Sequence, residues 1–149
     1  MAIFDHNYRS LCCVVDIFMK SPREIEDLLF DVYPQTKNRF SILKAEGDAL
    51  EICLKVDRDD LRPGSTISGP SMFTLADCAM YSLILGVYEE QVQAVTTNVS
   101  INFFRRPTLN NLIAHARLLK KGRRLVVGDV LIKSNDIDVA HASLTYALD

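Results

Sequence analysis

SGPSMFTLADCAMYSLILG, residues 68–86, is the stretch on which the reading of the whole chain turns. It predicts one long helix. Ser68 or Gly69 can cap its start. Pro70 suits the first helical position, where its missing N–H would be unpaired anyway, and Gly86 suits the left-handed residue that closes a helix. Between these ends Met72, Phe73, Leu75, Ala76, Cys78, Ala79, Met80, Tyr81, Leu83, Ile84 and Leu85 leave almost no polar face, so the helix belongs inside other structure. Its one charge is Asp77. A carboxylate in the middle of a buried helix is costly unless it is paired or put to use, which makes Asp77 the first candidate functional residue.

A membrane span fits the stretch poorly. It is barely long enough, begins with Pro70, and has Glu89 and Glu90 behind it. A central Asp costs about 2.5–3.5 kcal/mol on insertion scales. The 149 residues suit one domain with a real core, and a net charge of −2 gives no sign of a nucleic-acid surface. Cys12, Cys13, Cys53 and Cys78 lack CxxC spacing and read as free thiols in a reducing cytoplasm. His6, His115 and His141 share no metal-ligand spacing and read as structural. The apolar patch Leu11–Phe18 is interrupted by Asp16, with no small-residue cleavage site after it, so no signal peptide is expected.

Outward from the helix, the chain alternates in two periods. Met1–Lys20 is the least legible part, and Met1–Phe18 is expected to be dispensable for the fold. SPREIEDLLFDVYP (21–34) is a capped amphipathic helix: Ser21 and Glu24 form a capping box around Pro22, with Ile25, Leu28, Leu29 and Val32 as the apolar stripe. FSILKAE (40–46) and ALEICLKVD (49–57) are strands around a Gly47-Asp48 turn, and RDDLRPGSTI (58–67) is a loop leading to the central helix. AVTTNVSINFFRRP (94–107) alternates as a half-buried strand would, with Val95, Thr97, Val99, Ile101 and Phe103 on one face and Thr96, Asn98, Ser100, Asn102 and Phe104 on the other. LIAHARLLK (112–120), LVVGDVLIK (125–133) and VAHASLTYAL (139–148) are joined by short turns and predict an antiparallel meander. One antiparallel sheet with a single apolar face needs a cover, and the long helix supplies it.

GPSMFTLADCA, followed by VTTNVSINFFRRP and LIAHARLLKKGRRLVVGDV, resembles the PaaI-type branch of the hot-dog acyl-CoA thioesterases. That branch reads HGG-x-x-x-x-LAD ahead of VT-x-x-x-x-x-NF-x-RP. The likeness spans about Phe40 to Leu148. It implies an α+β hot-dog fold, one antiparallel sheet of five to six strands wrapped around a long central helix. Residues 40–149 would form that domain and residues 1–39 an N-terminal helical extension. It also implies hydrolysis of acyl-CoA thioesters to the free acid and CoA, with coenzyme A entering as part of the substrate and no cofactor or metal. Homo-oligomers are implied as well, a dimer or dimer of dimers built through edge strands with sites at the interface. No nucleic-acid or membrane partner is implied.

Carried over by position, Asp77 falls on the family's catalytic carboxylate. Gly69 falls on the first glycine of its HGG, whose N–H donates to the thioester carbonyl. Thr96 falls where some members place a Ser or Thr near the reacting water. Ser68 replaces the family His, Pro70 its second Gly, and Arg62 an Asn that orients substrate or water; NFFRRP carries one residue more than the pattern. The turn KKGRR, with Lys121, Arg123 and Arg124, is a candidate hold for the CoA phosphates, its plain alternative being a solvated turn. For Asp77 the plain alternative is a carboxylate hydrogen-bonded to backbone or to a partner chain; burial would otherwise raise its basicity toward water. Gly69 also reads as a cap glycine and Thr96 as an ordinary strand residue. A non-catalytic acyl-CoA-binding or regulatory module is the rival to hydrolysis, favoured by Ser68, Pro70 and Arg62. A hydratase would want a His beside the carboxylate, and the sequence sets none near Asp77. A DNA-binding version would want a basic helix near the start, where Ser21–Pro34 is acidic.

Overall fold

The computed structural model describes residues 18–149; the expectations for Met1–Phe18, Cys12, Cys13 and His6 lie wholly or mostly outside them. Helix α1 spans Pro22–Val32, and helix α2 spans Gly69–Val87. Between them lie strands β1 (Phe40–Glu46) and β2 (Ala49–Leu54) and a two-residue ladder, β3 (Leu61–Arg62) with β4 (Thr66–Ile67). After α2 come β5 (Val95–Phe103), β6 (Leu112–Lys121), β7 (Leu125–Ser134) and β8 (Ile137–Ala147). Six strands form one antiparallel sheet in the order β1-β2-β6-β7-β8-β5, curled around α2 as the hot-dog reading requires.

The alternation in the sequence becomes the sheet's inner face. Leu50, Ile52 and Leu54 of β2, Leu112, Ala114 and Ala116 of β6, Val126, Val130 and Ile132 of β7, and Ala140, Ala142 and Leu144 of β8 are all buried, together with Leu75, Ala76, Ala79, Met80 and Leu83 of α2. Small residues let the helix approach closely. A Cβ on Gly128 of β7 would sit 2.6 Å from Met80 Sδ and 2.7 Å from the Arg117 carbonyl oxygen. The meander turn at Asn135-Asp136 has both residues at positive φ, the geometry that suits the strand twist in a two-residue hairpin.

Four features correct or add to the sequence reading. Gly86 does not end α2: it lies inside the helix, which runs to Val87 with Tyr88 as its C-cap. Its role is steric, since an added Cβ would stand 2.8 Å from Ile25 Cδ1 and 2.9 Å from Met19 Sδ. Lys20 closes that end instead, its Nζ donating to the carbonyls of Leu85 (3.0 Å) and Tyr88 (3.2 Å), groups a helix C-terminus leaves unpaired. Second, α1 packs directly on the sheet. Ile25 belongs to the core, and Glu26 Oε2 accepts from the Ile42 N–H of β1 at 2.8 Å, so helix and sheet pack as one body. Third, β2 stops at Leu54 rather than Asp57. Fourth, β5 is an edge strand with most of its residues exposed; the alternation describes the face it turns to α2, where only Val99 and Ile101 are half-buried.

Gly128→Ala should cost about 1–3 kcal/mol of stability, the usual range for overpacking. The Arg117 carbonyl is backbone and cannot swing aside as a methionine tail can. Urea unfolding followed by circular dichroism measures the loss.

Candidate active site

Ser68 caps α2, as one of the two sequence readings has it. Its Oγ accepts from the Ser71 N–H at 3.2 Å and its hydroxyl lies 3.0 Å from Ser71 Oγ. The Met72 N–H is bonded to the Ser68 carbonyl, and Pro70 has no N–H. Gly69 therefore carries the one N–H of the first turn without a partner among the described residues, a donor aimed out of the helix start where the peptide dipoles favour negative charge. It lines a cavity of about 380 Å³ with Arg62, Phe103, Phe104, Arg105 and Arg106. Among the described residues those three arginines form no ion pair and the cavity has no acidic wall. Ser68 is not part of that lining; its hydroxyl is spent on the cap.

The loop before Gly69 is fixed from below. Arg39 forks onto Asp60, 2.8 Å to Oδ1 and 3.1 Å to Oδ2, and reaches Asp57 at 2.6 Å. The Asp60 carbonyl accepts from the Ser68 N–H at 2.7 Å. Burial alone would push the Asp60 carboxyl up; hydrogen bonds from Arg39, the Asp57 N–H and Ser71, with the charge of Arg39, outweigh it and hold Asp60 below the usual carboxylate range.

Asp77 is half-buried rather than enclosed, one wall of a second cavity of about 540 Å³. Its Oδ1 accepts two hydroxyl protons, from Tyr146 at 2.6 Å and Thr96 at 2.7 Å. The Tyr146 hydroxyl also lies 3.1 Å from the Asp77 carbonyl oxygen. Among the described residues no donor reaches Oδ2. A bulge delivers Thr96. The β5–β8 register slips between Thr96 and Asn98, so Thr97 is the extra residue and Thr96 lands on the same face as Val99 and Ile101, opposite to strict alternation. Val32 and Tyr33 at the end of α1, with Tyr81, Val92, Ala94 and Val95, supply the apolar wall. Cys78 is beside them, but burial, with the Asp77 charge second, pushes its thiol up to about 12, so it is no nucleophile at neutral pH.

Asp77 and Gly69 thus open on separate cavities of one chain, about 12 Å apart along the helix. The KKGRR turn lines neither. It stands at the sheet end that carries Thr96 and Tyr146, since Leu125 and Val95 both pair with Ala147. Lys121 there is tied to Asp48 at 2.8 Å, while Arg123 and Arg124 form no ion pair among the described residues. A cavity of about 450 Å³ lies on the sheet's outer face. Its charges answer one another, Arg117 and His141 on Asp129 and His115 near Glu51, and it is no part of this site. Tyr146 is the residue the sequence reading missed. Its signal was a tyrosine on the inward register of VAHASLTYAL, where a buried phenol must find a partner.

Residues 64–141 match the model of the thioesterase superfamily. A chain from Silicibacter sp. TM1040 assigned to the thioesterases is 38% identical, covering 89% of this chain and 96% of that one at a TM-score of 0.79. The Escherichia coli PaaI protein of the phenylacetic acid degradation operon shares the fold at 19% identity, covering 86% and 93% with a TM-score of 0.73. So does a Streptococcus pneumoniae hypothetical thioesterase solved with coenzyme A, at 23% identity, 75% and 90% coverage and a TM-score of 0.67. No curated protein matches the sequence. The chain belongs to the thioesterase superfamily, a class of thioester hydrolases.

The Asp60 clamp predicts a pH dependence. A carboxyl held low contributes stability above its unfolded value, near pH 4, and that stability is lost as pH falls through the folded value. Asp60→Asn should therefore cost about 1–3 kcal/mol at pH 7, and the gap to wild type should narrow at pH 3. Urea midpoints at the two pH values test this.

Proposed function

We propose that the protein hydrolyses acyl-CoA thioesters to the free acid and CoA, with Asp77 as general base or nucleophile. The observation that carries the reading is the Asp77 carboxylate. It is half-buried against an apolar-walled cavity, one oxygen held by two hydroxyls and the other without a donor among the described residues. In the base route, Oδ2 takes a proton from water as the water oxygen bonds to the thioester carbonyl carbon. The carbonyl electrons move onto its oxygen, which the Gly69 N–H stabilises. The C=O then re-forms, the C–S bond breaks, and the thiolate leaves with the proton from Asp77. In the nucleophile route, Oδ2 itself bonds to the carbon, the C–S bond breaks and CoA leaves as the thiolate; water then cleaves the resulting anhydride to the free acid and the Asp77 carboxylate, the water's remaining proton going to the thiolate. Thr96 lies close enough to orient the water.

The separation of Asp77 from Gly69 supports a site shared between two copies of the chain. Thr96 touches Asp77 at one end of β5, and Phe103 lies 3.4 Å from a Cβ built on Gly69 at the other. Antiparallel pairing of β5 with β5 of a second copy, about a two-fold at Ser100 and with Thr97 again the extra residue of the bulge, sets Thr96 opposite Phe103. The same pairing sets Asp77 of one copy toward Gly69 of the other. It would also cover an edge that otherwise leaves Val95 and Phe103 exposed. A homodimer, or a dimer of two such dimers, follows from this reading, working in the cytoplasm without a metal or redox cofactor.

The CoA phosphates have two basic candidates in that assembly. Arg62, Arg105 and Arg106 surround the Gly69 helix start, and Arg123 and Arg124 stand at the turn near the Asp77 end. Both fit an anionic ligand. The coenzyme A bound by the Streptococcus pneumoniae relative supports this ligand class.

A screen of short, long and aromatic acyl-CoAs, read by free-thiol release, tests the activity. Asp77→Asn should lower kcat by about 10²–10⁴-fold, the range for an acid–base group, with folding kept. Loss of stability with unchanged turnover would make Asp77 structural; tight binding without turnover by the wild type would favour the non-catalytic module. Arg105→Ala with Arg106→Ala, and Arg123→Ala with Arg124→Ala, should each raise KM for acyl-CoA far more than for a truncated thioester lacking the nucleotide. Equal effects on both substrates would remove that pair from the phosphate site.

A further inference from the structure

We propose that Tyr146 is a positioning residue for the reaction. With Thr96 it holds Oδ1 of Asp77, so that Oδ2 is the oxygen presented to the water or thioester. The inference rests on the hydrolase reading above and deepens it by naming which carboxylate oxygen reacts and what aims it.

Tyr146 is 2% exposed, on the face of β8 that packs against α2. A phenol there needs an acceptor, and it has the Asp77 carboxylate at 2.6 Å and the Asp77 carbonyl at 3.1 Å. The phenol has one proton to donate, which the carboxylate accepts, and the carbonyl is a second, longer contact. It joins the hydroxyl to the backbone of the residue whose side chain it holds, so ring, main chain and carboxylate share one fixed geometry. Thr96 donates to the same Oδ1 at 2.7 Å from the neighbouring strand. Two donors on one oxygen leave the other without a donor among the described residues. Desolvation, then the Asp77 charge and the hydrogen bond to Asp77, push the Tyr146 phenol well above its ordinary range. It therefore stays a donor throughout the pH range in which the protein works, and never competes with Asp77 as a base.

A tyrosine that acted only as a core residue would leave different traces from one that acts through Asp77. The phenol ring fills space whichever role it has, so Tyr146→Phe keeps the packing and removes only the hydroxyl. One Oδ1 donor then remains, the carboxylate can rotate, and near-attack geometry is lost in part of the population. The expected result is a fall in kcat of about ten- to a hundredfold with KM little changed, because the loss falls on an interaction used in the transition state. Thr96→Val, at an exposed position that tolerates change, should lower kcat in the same way and by less. The double variant should lose more than either.

The decisive readout is a double-mutant cycle with Asp77→Asn. If Tyr146 works by aiming the carboxylate, Tyr146→Phe should cost nothing further in turnover once the carboxylate is gone. Thermal unfolding of every variant is measured alongside, and turnover is expressed per folded molecule. Two results from a wild type that turns over acyl-CoA would overturn the positioning role and leave the hydrolase reading standing. One is an unchanged kcat in Tyr146→Phe; the other is an equal loss whether Asp77 is intact or already replaced by Asn. A wild type inactive on every acyl-CoA tested would overturn the hydrolase reading and this role with it. Should Tyr146→Phe unfold, the Thr96→Val cycle carries the same test of a held Oδ1.

Discussion

The close approach of an almost wholly apolar helix to a curled sheet is the constraint from which the rest of this structure follows. α2 has apolar side chains around most of its circumference, so no single contact surface can cover it. The sheet must bend around it and α1 must close the remaining side. Closeness is set by absences: no side chain at Gly128, where Met80 enters, and none at Gly86, where Ile25 and Met19 enter. The alanines at 114, 116, 140 and 142 continue the same floor. A core packed this tightly leaves little freedom in where a residue on α2 can point, which is what a carboxylate with chemistry to do requires.

The proposed function uses the part of α2 that the wrap leaves open. Asp77 sits where β8 gives way to the edge strand β5, and both strands send it a hydroxyl. Gly69 sits at the helix start, where Pro70 and the Ser68 cap leave one N–H without a partner among the described residues. In the proposed reaction the two act together, although they are not neighbours in one chain. The exposed edge of β5 explains how both facts can hold, because a two-fold at its centre exchanges its ends. In that proposed dimer the arginines around Gly69 and those of the β6–β7 turn would fall on the two sides of one shared site.

Much of this was legible in the residues. The apolar run with one charge located α2 and Asp77, two-residue alternation located the strands, and the paired motifs around LAD and NFFRRP gave the family. What was not legible has specific causes. Gly86 reads as a helix stop because sequence reports conformational freedom and close approach with the same residue. Thr96 reads as facing away from Val99 because alternation counts residues and a bulge adds one. Tyr146 lies 69 positions from Asp77, and no local pattern pairs residues so far apart. The exposure of β5 depends on strand order, which places it beyond β8 rather than beside its sequence neighbours.

The shared site is the central claim, and subunit hybrids test it most directly. Gly69→Pro removes the N–H at a helix position where proline is well tolerated, and Asp77→Asn removes the carboxylate charge; each variant alone is expected to be poorly active. A hybrid dimer of the two, isolated through different tags, has both defects in one shared site and neither in the other. The account predicts acyl-CoA hydrolysis by the hybrid at about half the wild-type rate per dimer. A hybrid as inactive as its parents, with stable dimers and folded chains, would contradict it.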